Sequence, residues 1–175
     1  MYAFGTLLRT GQFVNKDVEQ GRALIAKAAD KNYGPAIYEV GAMYLEARQS
    51  PAGVDKGIQL LRDAAVLGCK QAQYALATRY EAGDGLPRDQ ERARYFFRLC
   101  AAGGDANCQF RLGKLLFELP DRRERDYLQA IAFLQLAADQ DVAQAKGIAD
   151  AETARLNPEQ LRWVNKLKGQ LVRPQ

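Results

Sequence analysis

The chain has 175 residues, 47% of them hydrophobic and 26% charged, which is the composition of one folded domain and excludes a disordered chain. Its net charge of +4 is spread evenly, with no basic block interleaved with aromatics, so nucleic acid is not an expected partner. There is no histidine and there are only three cysteines, which excludes Ser/His and Cys/His catalysis and argues against a structural zinc site. No cofactor or metal is expected.

Taken in chain order, the segments repeat. FGTLLRTG, VGAMYLEA, LATRYEAG and LGKLLFEL place Gly5, Gly41, Ala77 and Gly113 at intervals of 36 residues, each after an apolar residue. A second segment follows each of these. Its predicted heads are Asp17, Gly53, Asp89 and Asp126, residue types that suit a helix N-cap. Gly21, Gly57, Ala93 and Ala130 are followed three residues on by Leu24, Leu60, Phe96 and Phe133, then four later by Ala28, Ala64, Cys100 and Ala137. Offsets of three and four mark one face of a helix. The first segments behave alike, as in Ala36, Val40 and Tyr44, so each unit is predicted to be a pair of antiparallel amphipathic helices.

Such pairs cannot bury their apolar stripes alone and must stack. The predicted fold is therefore all-α, a right-handed α/α solenoid of about four helix pairs over residues 1–156. Its units run about 1–35, 36–71, 72–107 and 108–144, with a partial one at 145–156. Asn157, Pro158 and Glu159 then signal a new helix start, and Leu161, Val164, Leu167 and Leu171 give that helix an apolar stripe. Residues 157–175 are read as a capping helix and tail.

The third unit, ALATRYEAGDGLPRDQERARYFFRLCAAGGDANCQFRLG, resembles the Sel1-like repeat, a relative of the tetratricopeptide repeat. The places of the Sel1-like pattern are held by Ala72, Leu76 with Ala77, Tyr80, Gly83 and Gly85, Asp89, Ala93, Phe96, Cys100 with Ala101, and Gly104. The loops EARQSPAG and LPDRRERD depart from it. The resemblance implies a non-catalytic scaffold that binds a protein partner, in bacteria and often outside the cytoplasm. Some members resemble immunity proteins that neutralise secreted toxin effectors such as phospholipases. Cysteine-rich members have been described as penicillin-binding or weakly β-lactamase-like, but this chain has no Ser-x-x-Lys to supply a nucleophile. A structural role in assembling an envelope complex is a third expectation.

The expected partner surface consists of residues that differ between units on the first helices: Glu39, Met43 and Glu46, then Thr78 and Arg79, then Arg111, Lys114 and Leu115. An ordinary solvated helix face is the alternative. Tyr2, Tyr38, Tyr74 and Phe110, a column at 36-residue spacing, are read as core or half-core. The arginines of PDRRERD are read as self-compensating surface charge, and Trp163 either as an exposed anchor or as a seal on the end of the stack.

Cys100 and Cys108 fall where every other unit has alanine, at the crossing of one unit's second helix with the next first helix. Two small side chains facing each other there can reach disulfide separation. A staple, buried reduced thiols and metal or redox chemistry all stay open, and the Cys-x7-Cys spacing resembles that of the disulfide-bearing Sel1-like proteins. A staple would place the protein in the periplasm or outside the cell, although the chain as given shows no export signal. No apolar run is long enough to span a bilayer, and Met1, aligned with Ile37, suggests a fragment or mature form.

Overall fold

A computed structural model describes residues 1–47 and 50–171, so Arg48 and Gln49 of the EARQSPAG loop and the last four residues of the predicted tail lie outside the described residues. Among the described residues there are ten α-helices and no strand. The chain divides into two compact units, Met1–Asp89 and Gln90–Gln175.

The first unit holds α1 (Tyr2–Thr10), α2 (Val18–Ala29), α3 (Gly34–Ala47), α4 (Pro51–Val66) and α5 (Lys70–Ala82). Consecutive helices pack on one another, and α3 also reaches α5. Glycine makes the closest crossings possible. A Cβ on Gly21 would lie 2.7 Å from the Gly5 carbonyl oxygen and 2.8 Å from the Arg9 amide nitrogen. One on Gly57 would meet the Leu45 side chain at 2.6 Å. The 36-residue column of small residues is thus the line along which paired helices touch.

The second unit holds α6 (Gln90–Ala102), α7 (Ala106–Phe117), α8 (Glu124–Ala138), α9 (Ala143–Thr153) and α10 (Pro158–Leu171). Here α6 packs on α7, α7 on α8, α8 on α9, and α10 folds back onto α8. The fully buried Val164 of α10 joins Leu128, Ile131 and Ala132, with Leu156, Trp163 and Leu167 packed around them. α10 therefore covers an apolar face of α8, as its stripe predicts.

The stripes of the second helices differ from expectation by one position. The deepest residues are Ile25, Leu61, Phe97 and Leu134, each essentially inaccessible to solvent, whereas Leu24, Leu60 and Phe96 are only half-buried. Both columns lie on the apolar face, but the residue four after the small one sits squarely under the crossing.

Two helix starts also differ. α4 begins at Pro51 behind Ser50, whose hydroxyl accepts from the Gly53 amide at 3.1 Å, so Gly53 lies inside the helix. α8 begins behind Arg123, whose amide donates to Asp126 Oδ2 at 3.2 Å, so Asp126 is the third helical residue. The other two starts match. Asp17 Oδ1 accepts from the Gln20 amide at 2.9 Å, and α6 begins directly after Asp89. Asn157 caps α10, accepting from the amides of Glu159 and Gln160 at 3.0 and 2.9 Å.

One repeated device escapes sequence reading. Gln73 and Gln109, 36 residues apart, are buried, and their amide groups donate to the carbonyls of Ala65 and Ala101 at 3.2 and 3.3 Å. Each adds a second donor to a last-turn carbonyl that already accepts from a backbone amide just past the helix, Gly68 for Ala65 and Gly104 for Ala101.

Candidate functional site: a groove between α3 and α5, and the disulfide

Cys100, near the end of α6, and Cys108, in the first turn of α7, are joined by a disulfide with 5.7 Å between their Cα atoms, and both are buried. Asp105 caps α7, its Oδ1 accepting from the Cys108 amide at 2.9 Å. The carboxylate of Asp105 and the two sulfurs lie close enough to have held a metal ion. The sulfurs are bonded to each other instead, so the thiolates a metal would need do not exist. The free Cys69 is buried at the start of α5, with its thiol 3.3 Å from Gln71 Oε1.

In the first unit, Glu46 and Arg79 come together at a groove of about 310 Å3 between α3 and α5, lined also by Tyr38, Ala42, Leu45, Leu61 and Ala75. Arg79 is held in place by its own helix end: Nη1 lies 2.6 Å from Asp84 Oδ2 and 3.4 Å from the Asp84 carbonyl oxygen. The sharp turn that brings Asp84 back is made by Gly83 and Gly85, at φ 77° and 71°, conformations that cost glycine little. Glu46 is exposed and, among the described residues, has no ion-pair partner. Burial, then the charge of Glu39, with Glu46 adding to it, pushes the Tyr38 phenol above its usual value. The groove thus offers a carboxylate, an anchored guanidinium and a phenol over a floor of alanines.

The remaining expected contact residues are placed differently. Glu39 is half-buried and paired with Arg9 at 3.1 Å. Met43 packs against the cluster of Ile25, Ala28 and Ala36. The Thr78 hydroxyl turns back on its own helix, donating to the Ala75 carbonyl at 3.0 Å. In the second unit, the Arg111 guanidinium lies 5.9 Å from the centre of the Phe97 ring and the Lys114 ammonium 5.9 Å from that of Phe110. Leu115 is buried, at 6% exposure, because α7 packs against both α6 and α8 and so needs a wide apolar stripe. It is not presented to a partner.

Sequence reasoning missed Ala42, Ala75 and Tyr38 as groove residues. The signal was there for the alanines: Ala75 shares the column of Glu39 and Arg111, and Ala42 that of Thr78 and Lys114. Where larger residues stand in other units, two methyl groups leave a hollow. The four aromatics Tyr2, Tyr38, Tyr74 and Phe110 are all half-buried, as expected of half-core positions.

The arginines of the PDRRERD loop are exposed, but Arg122 is also fixed: its guanidinium lies 5.2 Å from the Phe117 ring centre and 5.1 Å from that of Tyr127, and it donates to the Phe117 carbonyl at 2.9 Å. Among the described residues no helix is long and apolar enough to cross a membrane.

Solved structures place these features among known proteins. The protective antigen c5321 of uropathogenic Escherichia coli, which displays an SLR fold, is similar over 98% of this chain at 27% identity, with a TM-score of 0.78. The chain spans only 37% of that protein's length. A Sel1 repeat protein from Oxalobacter formigenes is 22% identical over 97% of this chain and 71% of its own, with a TM-score of 0.74. The immunity protein Pa5087 from Pseudomonas aeruginosa shares the fold at 20% identity over 97% of this chain and 67% of its own, with a TM-score of 0.59. No curated protein matches the chain. The Sel1 repeat, in general a protein-interaction scaffold rather than a catalyst, matches at residues 1–33, 34–69, 70–105 and 106–142. With four consecutive repeats over most of its length, in an all-α architecture shared with Sel1 solenoids, the chain belongs to the Sel1 repeat family.

Proposed function

We propose that this protein is a non-catalytic binding scaffold that works outside the cytoplasm and grips a protein partner at the groove between α3 and α5. The observation that carries the reading is the groove itself. Glu46 and the Asp84-anchored Arg79 present opposite charges, with the Tyr38 phenol and an alanine floor beside them. A preset guanidinium loses little side-chain entropy on binding, and paired charges of both signs select orientation. Glu39, Met43 and Thr78 lie on the same two helices, α3 and α5.

The partner we infer is a secreted toxin effector, which the protein neutralises by occupying its surface. The likeness in fold to an immunity protein supports this, and the disulfide supports folding in an oxidising compartment. The test is co-production in the periplasm of a susceptible bacterium with the product of the neighbouring gene. Survival that is lost with Glu46→Lys combined with Arg79→Glu is the expected result. Unprotected killing in the presence of the folded wild-type protein would overturn the immunity reading.

A further inference from the structure

A second cavity, of about 540 Å3, opens between the start of α8 and the start of α10, elements that contribute nothing to the groove described above. This volume lies in the range of ordinary ligand sites. Its apolar part is Leu128, buried in the core, and Trp163, whose indole packs on the cluster around Val164 and lines the cavity as well. Its polar part is dominated by the exposed carboxylates of Glu124 and Glu159, set against one cation, Arg125.

Helix N-termini ordinarily favour anions, and two of them border this cavity. The amides at the head of α10 are already engaged, and α8 carries two acids of its own, Glu124 and Asp126, in its first turn. Asn157 Oδ1 accepts from Glu159 and Gln160, and the Arg123 amide at the head of α8 donates to Asp126. Gln160 also donates to Glu124 Oε1 at 2.7 Å, which holds that carboxylate at the cavity mouth while leaving its second oxygen able to accept. An anion entering here would meet capped α10 amides and two like charges against the single Arg125. A cation would meet an indole and two carboxylates, with Arg125 as the one like charge.

We propose that this cavity is a binding site for an arginine side chain of a protein partner. The guanidinium stacks on Trp163 and is paired by Glu124 and Glu159, while the methylene stem lies along Leu128. A planar, weakly hydrated cation with five donors suits this combination better than an ammonium, and tryptophan is the strongest of the aromatic cation acceptors. The sequence gives no direct signal for the site, because its two carboxylates lie 35 residues apart and meet only when α10 folds onto α8.

Trp163 is the only tryptophan in the chain, so its fluorescence reports on this cavity without labelling. The full chain is titrated with the pentapeptide Gly-Gly-Arg-Gly-Gly and with its citrulline counterpart, which keeps the shape and loses the charge. The expected result is a saturable change with the arginine peptide and binding at least about tenfold weaker with citrulline, the size of one charge-assisted contact. The Glu124→Gln, Glu159→Gln double variant, checked for native circular dichroism, is expected to lose the same preference. Equal response to both peptides, no saturation up to about 10 mM, or an unchanged preference in the folded double variant would each overturn the proposal.

Discussion

Phe13 is the residue least explained by folding. It stands 72 residues, two repeats, before Gly85, and both adopt a left-handed backbone, φ 64° and 71°. Glycine takes that conformation freely, whereas phenylalanine pays for its Cβ and, at 90% exposure, recovers almost nothing through packing. Phe13→Gly is therefore expected to raise stability by about 1 kcal/mol, read as a higher midpoint in urea. An unchanged or lower midpoint would mean that the ring makes a contact in the native protein.

The disulfide acts at the same scale. Alanine occupies both of its positions in the other repeats, so the Cys100→Ala, Cys108→Ala variant keeps the packing size and removes the link. Opening a nine-residue loop is expected to cost about 2.5 kcal/mol in the chain-entropy view, measured by denaturant unfolding. In the wild type, a thiol count in denaturant without reductant should give one group, Cys69. Three would contradict the bond.

The helices were largely legible in the sequence, because the spacing that builds them also repeats. Gly5 with Gly41, and Gly21 with Gly57, could be picked out as two columns, and the two columns face each other where paired helices touch. The starts of α4 and α8 were not legible. Alignment favoured Gly53, whereas Ser50 with Pro51 heads α4, and Asp126 serves its helix from the third position instead of heading it. Alignment transmits what the repeats share and hides what one repeat does alone.

The glycine column gives a paired prediction. Gly21→Ala forces α1 and α2 apart, since both close contacts are to backbone atoms, and is expected to cost about 1–3 kcal/mol. Gly147→Ala, on the exposed side of α9 with nothing within 4 Å of the new Cβ, is expected to stabilise by about 0.5–1 kcal/mol. Thermal melts of both variants give the comparison directly. Two gains of similar size would mean that helix propensity, and not close approach, sets the role of glycine here.

For the whole molecule, fold class and family could be read from periodicity and motif, but the candidate site only in part. Glu46 and Arg79 were visible because they break the repeat, and they do share a groove. Tyr38 looked like filler because it keeps the repeat, and Leu115 looked like surface because it breaks it. Which side of a helix is covered depends on how many neighbours it has, and that is a property of the assembled stack.

The function proposed for the whole molecule rests on the groove between α3 and α5 gripping a protein. Isothermal titration calorimetry of the purified chain, and of its Glu46→Lys variant, against the product of the neighbouring gene is the decisive measurement. Binding at micromolar affinity or tighter, weakened at least about tenfold by the charge reversal, is the predicted result. Binding of equal strength by wild type and variant, or no heat of binding from the folded wild type, would contradict it.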